Sequence, residues 1–284
     1  MVEAERDRIV AQKSIDLAEQ FSKVIIRQRE RLVKRLHQIA EEIDKSTDLD
    51  QFKICGELLL ANLHRVCRGE AKVEVENYYL SPPEKVSIEL DPRMTPAENA
   101  DRYFKLHRKA SRATEHHQRR KQQTEQEMEW LGDVALSLEE ATDGEDIYQV
   151  QIELEKAGLL KQVKGQLGRR RLASSEDRLY QAVSPAGWSI LWGKNSQTND
   201  YVSCRLTTAD DLWFHAHNLP GAHLVLKCGD RIGQVDEADI LHAAALAAGY
   251  SQGKDAGKVE VIIARGRHVR KPKGARPGLV TVDR

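Results

Sequence analysis

Aromatic residues make up only 5% of the 284 positions, there are three methionines, and no apolar run approaches the roughly 20 residues that a membrane-spanning helix needs. So few aromatics beside 31% charged residues argue against one large compact core and for long solvated helices next to a modest globular one. The four cysteines, Cys55, Cys67, Cys204 and Cys228, stand far apart with no CxxC pair, and no secretory apolar segment is evident. A reduced, cytoplasmic protein without a membrane partner is the expectation. Also missing are a GxSxG elbow, a Walker loop, a dinucleotide fingerprint and a paired-carboxylate constellation, so neither an enzyme nor a cofactor is expected.

What is present is charge, balanced at 44 basic against 44 acidic residues but unevenly spread, so local patches matter more than the total. From Ile9 to Ile43 the residues Ala18, Phe21, Ile25, Leu32, Leu36, Ile39 and Ile43 recur mostly at alternating spacings of three and four, predicting a long helix. A second run from Thr95 to about Ala141 carries Tyr103, Leu106, Ala110, Ala113, Met128, Leu131, Ala135 and Leu138 on one stripe. Thr95, Pro96 and Glu98 give it capping-box chemistry at its start. Two such helices most simply form an antiparallel coiled-coil hairpin. The intervening FKICGELLLANLHRV helix and the alternating KVEVENYYL and KVSIEL strands form a small αββ tip module at about 49–94. The middle of the second helix, RATEHHQRRKQQTEQE, is polar and basic and reads either as a solvated face or as an RNA-facing stretch.

Beyond a short helix ending near Leu160, residues 161–178 lack periodicity and read as a basic linker; its Arg169, Arg170 and Arg171 are either phosphate contacts or solubilising charge. From 179 to 284 the pattern predicts a mixed α/β domain. It has a hairpin YQAVSPAGWSILWG, strands LWFHA and HLVLKC, a helix from Asp236 to Tyr250 with Ile240, Leu241, Ala244, Ala245 and Ala248 on one side, and a strand VEVIIA. The fold class expected for the whole is α+β.

The chemistry concentrates in RGRHVRKPKGARPGL. Arg265, Arg267, His268, Arg270, Lys271, Lys273 and Arg276 fall there without one acidic neighbour, on a segment that its prolines and glycines make a loop. A solvated charge run usually alternates signs, so a single-sign tract favours nucleic-acid phosphate, with Gly274 admitting a close backbone approach. Trp188, Trp192, Trp213 and Phe214 read as core rather than as stacking platforms, so recognition is expected to be of RNA shape and backbone. His215, His217 and His223 cluster in DDLWFHAHNLPGAHLV, but no Asp, Glu or Cys completes an obvious ligand set nearby, and no metal is expected. One of these histidines is a candidate to line a polar pocket. Asp210, Asp211, Asn218 and Pro220-Gly221 read as turn-shaping residues.

Several long collinear stretches resemble the RqcH/NEMF (NFACT) family of ribosome quality-control factors, whose members are also labelled fibronectin-binding protein A-like. NDYVSCRLTTADDLWFHAHNLPGAHLVLK, AAALAAGYSQGK and VRKPKGARPGLV resemble its RNA-binding NFACT-R domain. GELLLANL, VENYY and LDPRMTPAENADRYFK resemble the preceding coiled coil and tip. The resemblance covers most of residues 20–284. It implies a factor that recognises large ribosomal subunits, through rRNA, when they are obstructed by peptidyl-tRNA. In the intact family it also implies recruitment of tRNA for C-terminal alanine tailing of stalled chains. It further implies that the NFACT-N domain and its Asp-Arg pair are lacking here, to be supplied, if at all, by a separate NFACT-N-containing chain. Two other readings stand beside it: a fibronectin-binding adhesin, and a coiled-coil scaffold whose basic loop only solubilises.

Overall fold

A computed structural model of the protein describes residues 2–44, 49–161 and 179–283. The chain is a mixed helical and β structure with long helices and antiparallel sheets, and it divides into two compact units. One unit is residues 33–125; the other joins residues 1–32 to 126–284. Two helices, α1 (Val2–Asp44) and α3 (Pro96–Glu139), contribute to both.

In the 33–125 unit, α2 (Leu49–Ala61) packs on a two-stranded sheet. Strands β1 (Lys72–Asn77) and β2 (Glu84–Glu89) run antiparallel in the register Val75 opposite Val86. Alternation puts Val75 and Ile88 inward, where they join Leu58, Leu59 and Ala100 in the core. The N-terminus of α3 is closed by the capping box the sequence predicts: Glu98 N donates to Thr95 Oγ1 at 3.3 Å and Thr95 N donates to Glu98 Oε2 at 2.7 Å. The polar middle of α3 has a definite inward side. Arg120 and His117 meet Glu42 of α1 at 2.8 and 3.0 Å, just beyond the fully buried Ile39. Arg120 and His117 thereby face Glu42 of α1 rather than solvent.

In the other unit, Phe21, Ile25 and Leu32 of α1 pack with Trp130, Leu131 and Val134 of α3 and with Val150 and Leu154 of α4 (Gly144–Lys156). A five-stranded antiparallel sheet follows, in the order β3 (Tyr180–Val183), β4 (Ser189–Trp192), β6 (Leu224–Lys227), β5 (Leu212–Ala216), β7 (Val261–Arg265). All five residues of β5 are buried because both of its faces are covered. Leu212 and Phe214 face a core completed by α6 (Glu237–Gly249), while Trp213 and His215 point to the opposite side. Trp188, Trp192, Trp213 and Phe214 are all buried.

One local expectation is corrected. The buried side of α6 is centred on Asp239, Ala243 and Ala247 and flanked by Ile240 and Ala244 of the expected stripe, whereas Leu241 of that stripe is 60% exposed. The helix is apolar nearly all round, so its period does not choose a face; small alanines let it approach the sheet, and Asp239 accepts from Ala186 N at 2.9 Å. Between β4 and β5 lies a capped helix α5 (Ser196–Tyr201) running into a π-helical turn Val202–Leu206. Its start signal is the Asn195 and Thr198 box, the same chemistry as at Thr95. Gly274 has a φ of +79° and closes the Pro272–Ala275 turn, and among the described residues no atom beyond its chain neighbours lies within 4 Å of the place a Cβ would take.

Candidate nucleic-acid interface

The basic segment lies in the unit that joins residues 1–32 to 126–284. The basic segment leaves the sheet at the end of β7, passes through a 3-10 turn at Gly266–His268, and folds back as a hairpin. Strands β8 (Val269–Arg270) and β9 (Thr281–Val282) pair in the register Val269 opposite Val282, leaving 271–280 as the hairpin loop. Its base is pinned by Gly266 N donating to the Asp211 carbonyl at 2.9 Å and Arg267 N donating to the Ala209 carbonyl at 3.0 Å. A Cβ on Gly266 would lie 2.1 Å from the Thr208 carbonyl oxygen, so only glycine allows this approach.

Asp211 is the anchor beneath. Its side chain, 1% exposed, pairs with Lys227 and accepts from Thr208 N at 2.8 Å, Cys228 N at 3.1 Å and Gly229 N at 3.0 Å. Burial alone would raise this carboxyl, but the hydrogen bonds from Lys227 and Thr208 outweigh it and hold the group below its ordinary range. Asp210 next to it pairs with Arg267.

The sequence shows no acidic residue inside the basic tract, yet the fold brings carboxylates to it from elsewhere. Arg270 meets Asp283 at 3.2 Å, Lys271 meets Asp200 at 2.5 Å, and Arg276 meets Glu127 at 3.6 Å while its guanidinium lies 4.1 Å from the Trp130 ring centre. Among the described residues, Arg265 and Lys273 form no ion pair, and both are exposed. His268 is half-buried at the turn. The segment is therefore a folded hairpin in which Arg267, Arg270, Lys271 and Arg276 are ion-paired, not a free loop. Exposed pairs of this kind contribute ~1 kcal/mol or less, so their cations remain available to exchange a carboxylate for a phosphate. Arg169, Arg170 and Arg171 lie outside the described residues.

Behind the hairpin is a cavity of about 230 Å³ between the end of α3, the covered face of β5 and the loop 277–280. Gly132 brings α3 against Pro220, where a Cβ would lie 2.4 Å from Pro220 Cγ, and Gly221 N donates to Asp133 Oδ1 at 3.2 Å. Trp213 Nε1 donates to Ser203 Oγ at 3.0 Å, and Ser203 Oγ lies 2.7 Å from His223 Nδ1. Indole, hydroxyl and imidazole thus form one buried hydrogen-bonded chain behind β5. Burial pushes His223 well below the usual histidine range and His215 down to about 4, so both rings are neutral at pH 7. Burial pushes Asp133 well above the carboxylate range and raises Glu129 as well. The Nε2 of His215 is buried without a hydrogen-bond partner among the described residues. Sequence reading found the histidines but not the carboxyls beside them: Glu129 and Asp133 lie some eighty residues earlier in the chain, and nothing local links the two segments. Among the described residues no group of three or more His, Cys, Asp or Glu is arranged to hold a metal ion, and no helix is long and apolar enough to cross a membrane.

Comparison with known proteins gives this geometry a family. A family model described as the NFACT N-terminal and middle domains matches residues 3–172, and one described as the NFACT protein RNA binding domain matches residues 178–282. The first match overturns the expectation that the NFACT N-terminal domain is lacking, and with it the separate chain invoked to supply one. Residues 3–172, read from periodicity as coiled coil and tip, fall within a model of the N-terminal and middle domains together. Helical spacing identifies helices but does not say to which domain of a family they belong. The curated protein "Rqc2 homolog RqcH" of Bacillus subtilis (strain 168) is 32% identical over 280 residues, covering 99% of this chain and 47% of that protein. Its counterpart in Streptococcus suis (strain 05ZYH33) is 32% identical over 278 residues, covering 98% of this chain and 48% of that one. The chain thus spans about half the length of the curated relatives it matches. The solved structure of the C-terminal part of the fibronectin/fibrinogen-binding protein from Streptococcus suis superposes with a TM-score of 0.67 at 25% identity, over 96% of this chain and 92% of that one. Neither family description names a catalytic activity. With these models matching along both halves of its length, the chain belongs to the NFACT family and carries that family's RNA binding domain over residues 178–282.

Proposed function

We propose that this protein is a cytoplasmic, non-enzymatic RNA-binding factor of ribosome-associated quality control. It engages large ribosomal subunits obstructed by peptidyl-tRNA, through rRNA and tRNA. The observation that carries the reading is the folded basic hairpin: Arg265, Arg267, His268, Arg270, Lys271, Lys273 and Arg276 gathered on one segment of the matched RNA binding domain. Phosphate attraction by such a tract acts mainly through counterion release, so affinity falls steeply with salt. Arg169, Arg170 and Arg171 extend the proposed contact along the segment before that domain.

The long helices α1 and α3 act as a coiled-coil arm with the αββ module at about 49–94 as its tip, 161–178 as a linker, and 179–284 as the RNA-contacting domain. Support for the arm comes from the apolar stripe through Phe21, Ile25, Leu32 and Ile39 and from the Gln28 to Glu127 and Arg120 to Glu42 contacts. Recruitment of tRNA for alanine tailing is the step to which this binding contributes. The adhesin reading is not favoured, since the matched domain is an RNA binding one and the curated relatives are Rqc2 homologs.

Sedimentation of the chain with large ribosomal subunits, with and without bound peptidyl-tRNA, tests the proposal. Co-migration that prefers tRNA-bearing subunits and is abolished by ribonuclease or high salt is expected. Absence of co-migration at low salt, or binding to immobilised fibronectin that ribonuclease leaves untouched, would overturn it.

A further inference from the structure

The cavity behind the hairpin is built unlike a phosphate site. Its polar groups are Asp133, Glu129 and the unpartnered Nε2 of His215, a ring only 9% exposed and neutral at pH 7. A neutral imidazole held toward Gly221 presents Nε2 as an acceptor, Asp133 and Glu129 add carboxyl oxygens, and among the described residues no Lys or Arg lines the space, so the matching occupant is a neutral, flat, donor-bearing group. At about 230 Å³ the space is smaller than the usual ligand pocket and takes a ring-sized fragment rather than a whole nucleotide. One wall is the 277–280 stretch, which continues directly from Lys273 and Arg276, so a group inside the cavity and a phosphate on the hairpin are neighbours along one short ligand.

We infer that this cavity receives a single extruded nucleobase bearing an exocyclic amine, which donates to Asp133 and the Nε2 of His215 while the nucleotide's phosphate lies on the basic hairpin. This rests on the RNA-binding reading and deepens it: the hairpin supplies sequence-independent attraction, and the cavity adds a preference for one class of base. Carboxylates and histidines that accept from a base edge discriminate by leaving a buried acceptor unpaired when the wrong base enters. That differs from recognition by backbone and shape alone, which the scarcity of exposed aromatics suggests at the level of sequence.

Oligo(C) and oligo(U) hexaribonucleotides are the discriminating probes, because they carry the same phosphates and the same ring size and differ in a 4-amino against a 4-oxo group. Binding of each to the full chain is measured across a salt series. The expected result is parallel salt dependences, with oligo(C) about tenfold tighter or more. Asp133→Asn, which can turn an amide donor toward the base, should narrow the difference between the two oligomers. Equal affinities for the two oligomers would overturn the base pocket and leave the RNA-binding reading standing. Absence of binding to both at low salt would overturn the reading itself and the inference with it. The comparison between oligomers needs no variant, so a substitution that failed to fold would not blunt the test.

Discussion

Replacing Asp211 by alanine removes the group on which the basic segment is anchored, and the loss can be worked from its contacts. The carboxylate is 1% exposed, pairs with Lys227, and accepts from the backbone of Thr208, Cys228 and Gly229. Breaking a buried pair from one side generally costs about 3–5 kcal/mol, because the remaining charge and donors are left without partners. Lys227 keeps the Leu206 carbonyl at 2.8 Å, which places this case near the lower end, ~3 kcal/mol. At about 2–4 °C per kcal/mol for a unit of this size, the melting midpoint should fall by roughly 6–12 °C at neutral pH. The pH dependence has a definite sign. The folded-state pKa of Asp211 is depressed, so its stabilisation is present above the unfolded value near 3.8 and disappears as the pH falls through the lower folded value. The difference between wild type and Asp211→Ala, followed by circular dichroism, should therefore shrink in acid. A midpoint within about 1 °C of wild type at neutral pH would refute the anchoring role.

Gly266→Ala should destabilise by ~1–3 kcal/mol in a urea titration, since the new methyl meets the Thr208 carbonyl at 2.1 Å and the chain must move; a neutral result would mean that the 3-10 turn is not held there. Asp283→Asn releases Arg270 from its exposed partner and should tighten RNA binding by a few-fold, read by fluorescence anisotropy; weaker binding would show that the pair orders the cation productively. Asp133→Asn keeps the bond from Gly221 N and removes a carboxyl that burial holds well above its usual pKa. A raised folded pKa contributes stability below the unfolded value near 3.8 that is lost as pH rises through the folded one, so this variant should gain on wild type from acid to neutral pH. A stability difference between variant and wild type that stays constant across that range would contradict the burial of an ionising group.

The elements with strong periodicity are legible in the amino-acid sequence alone. Phe21, Ile25, Leu32 and Ile39 are buried as their spacing demands, and LWFHA is a strand over Leu212–Ala216. The αββ pattern between the long helices and the capping box at Thr95 are equally direct, because each depends on neighbours in sequence. What stays hidden depends on distance along the chain. The carboxylates that pair the hairpin, Asp200, Asp210, Asp283 and Glu127, come from four places, and the basic tract alone reads as unpaired. The cavity is assembled from α3 and β5, far apart in sequence. The π-helical turn at Val202–Leu206 is invisible to periodicity because it has no period of its own to display.

The central claim is that the hairpin of residues 265–276 is what holds RNA, and the slope of log affinity against log salt tests it most directly. Arg265, Arg270, Lys271 and Lys273 are changed together to serine; Arg276 is kept because it packs on Trp130. Each lost phosphate contact lowers the slope by about 0.7–0.9, so a fall of roughly 3 is expected for the four, with a melting midpoint close to wild type. An unchanged slope and affinity in a folded variant would place RNA binding elsewhere on the chain and contradict the account.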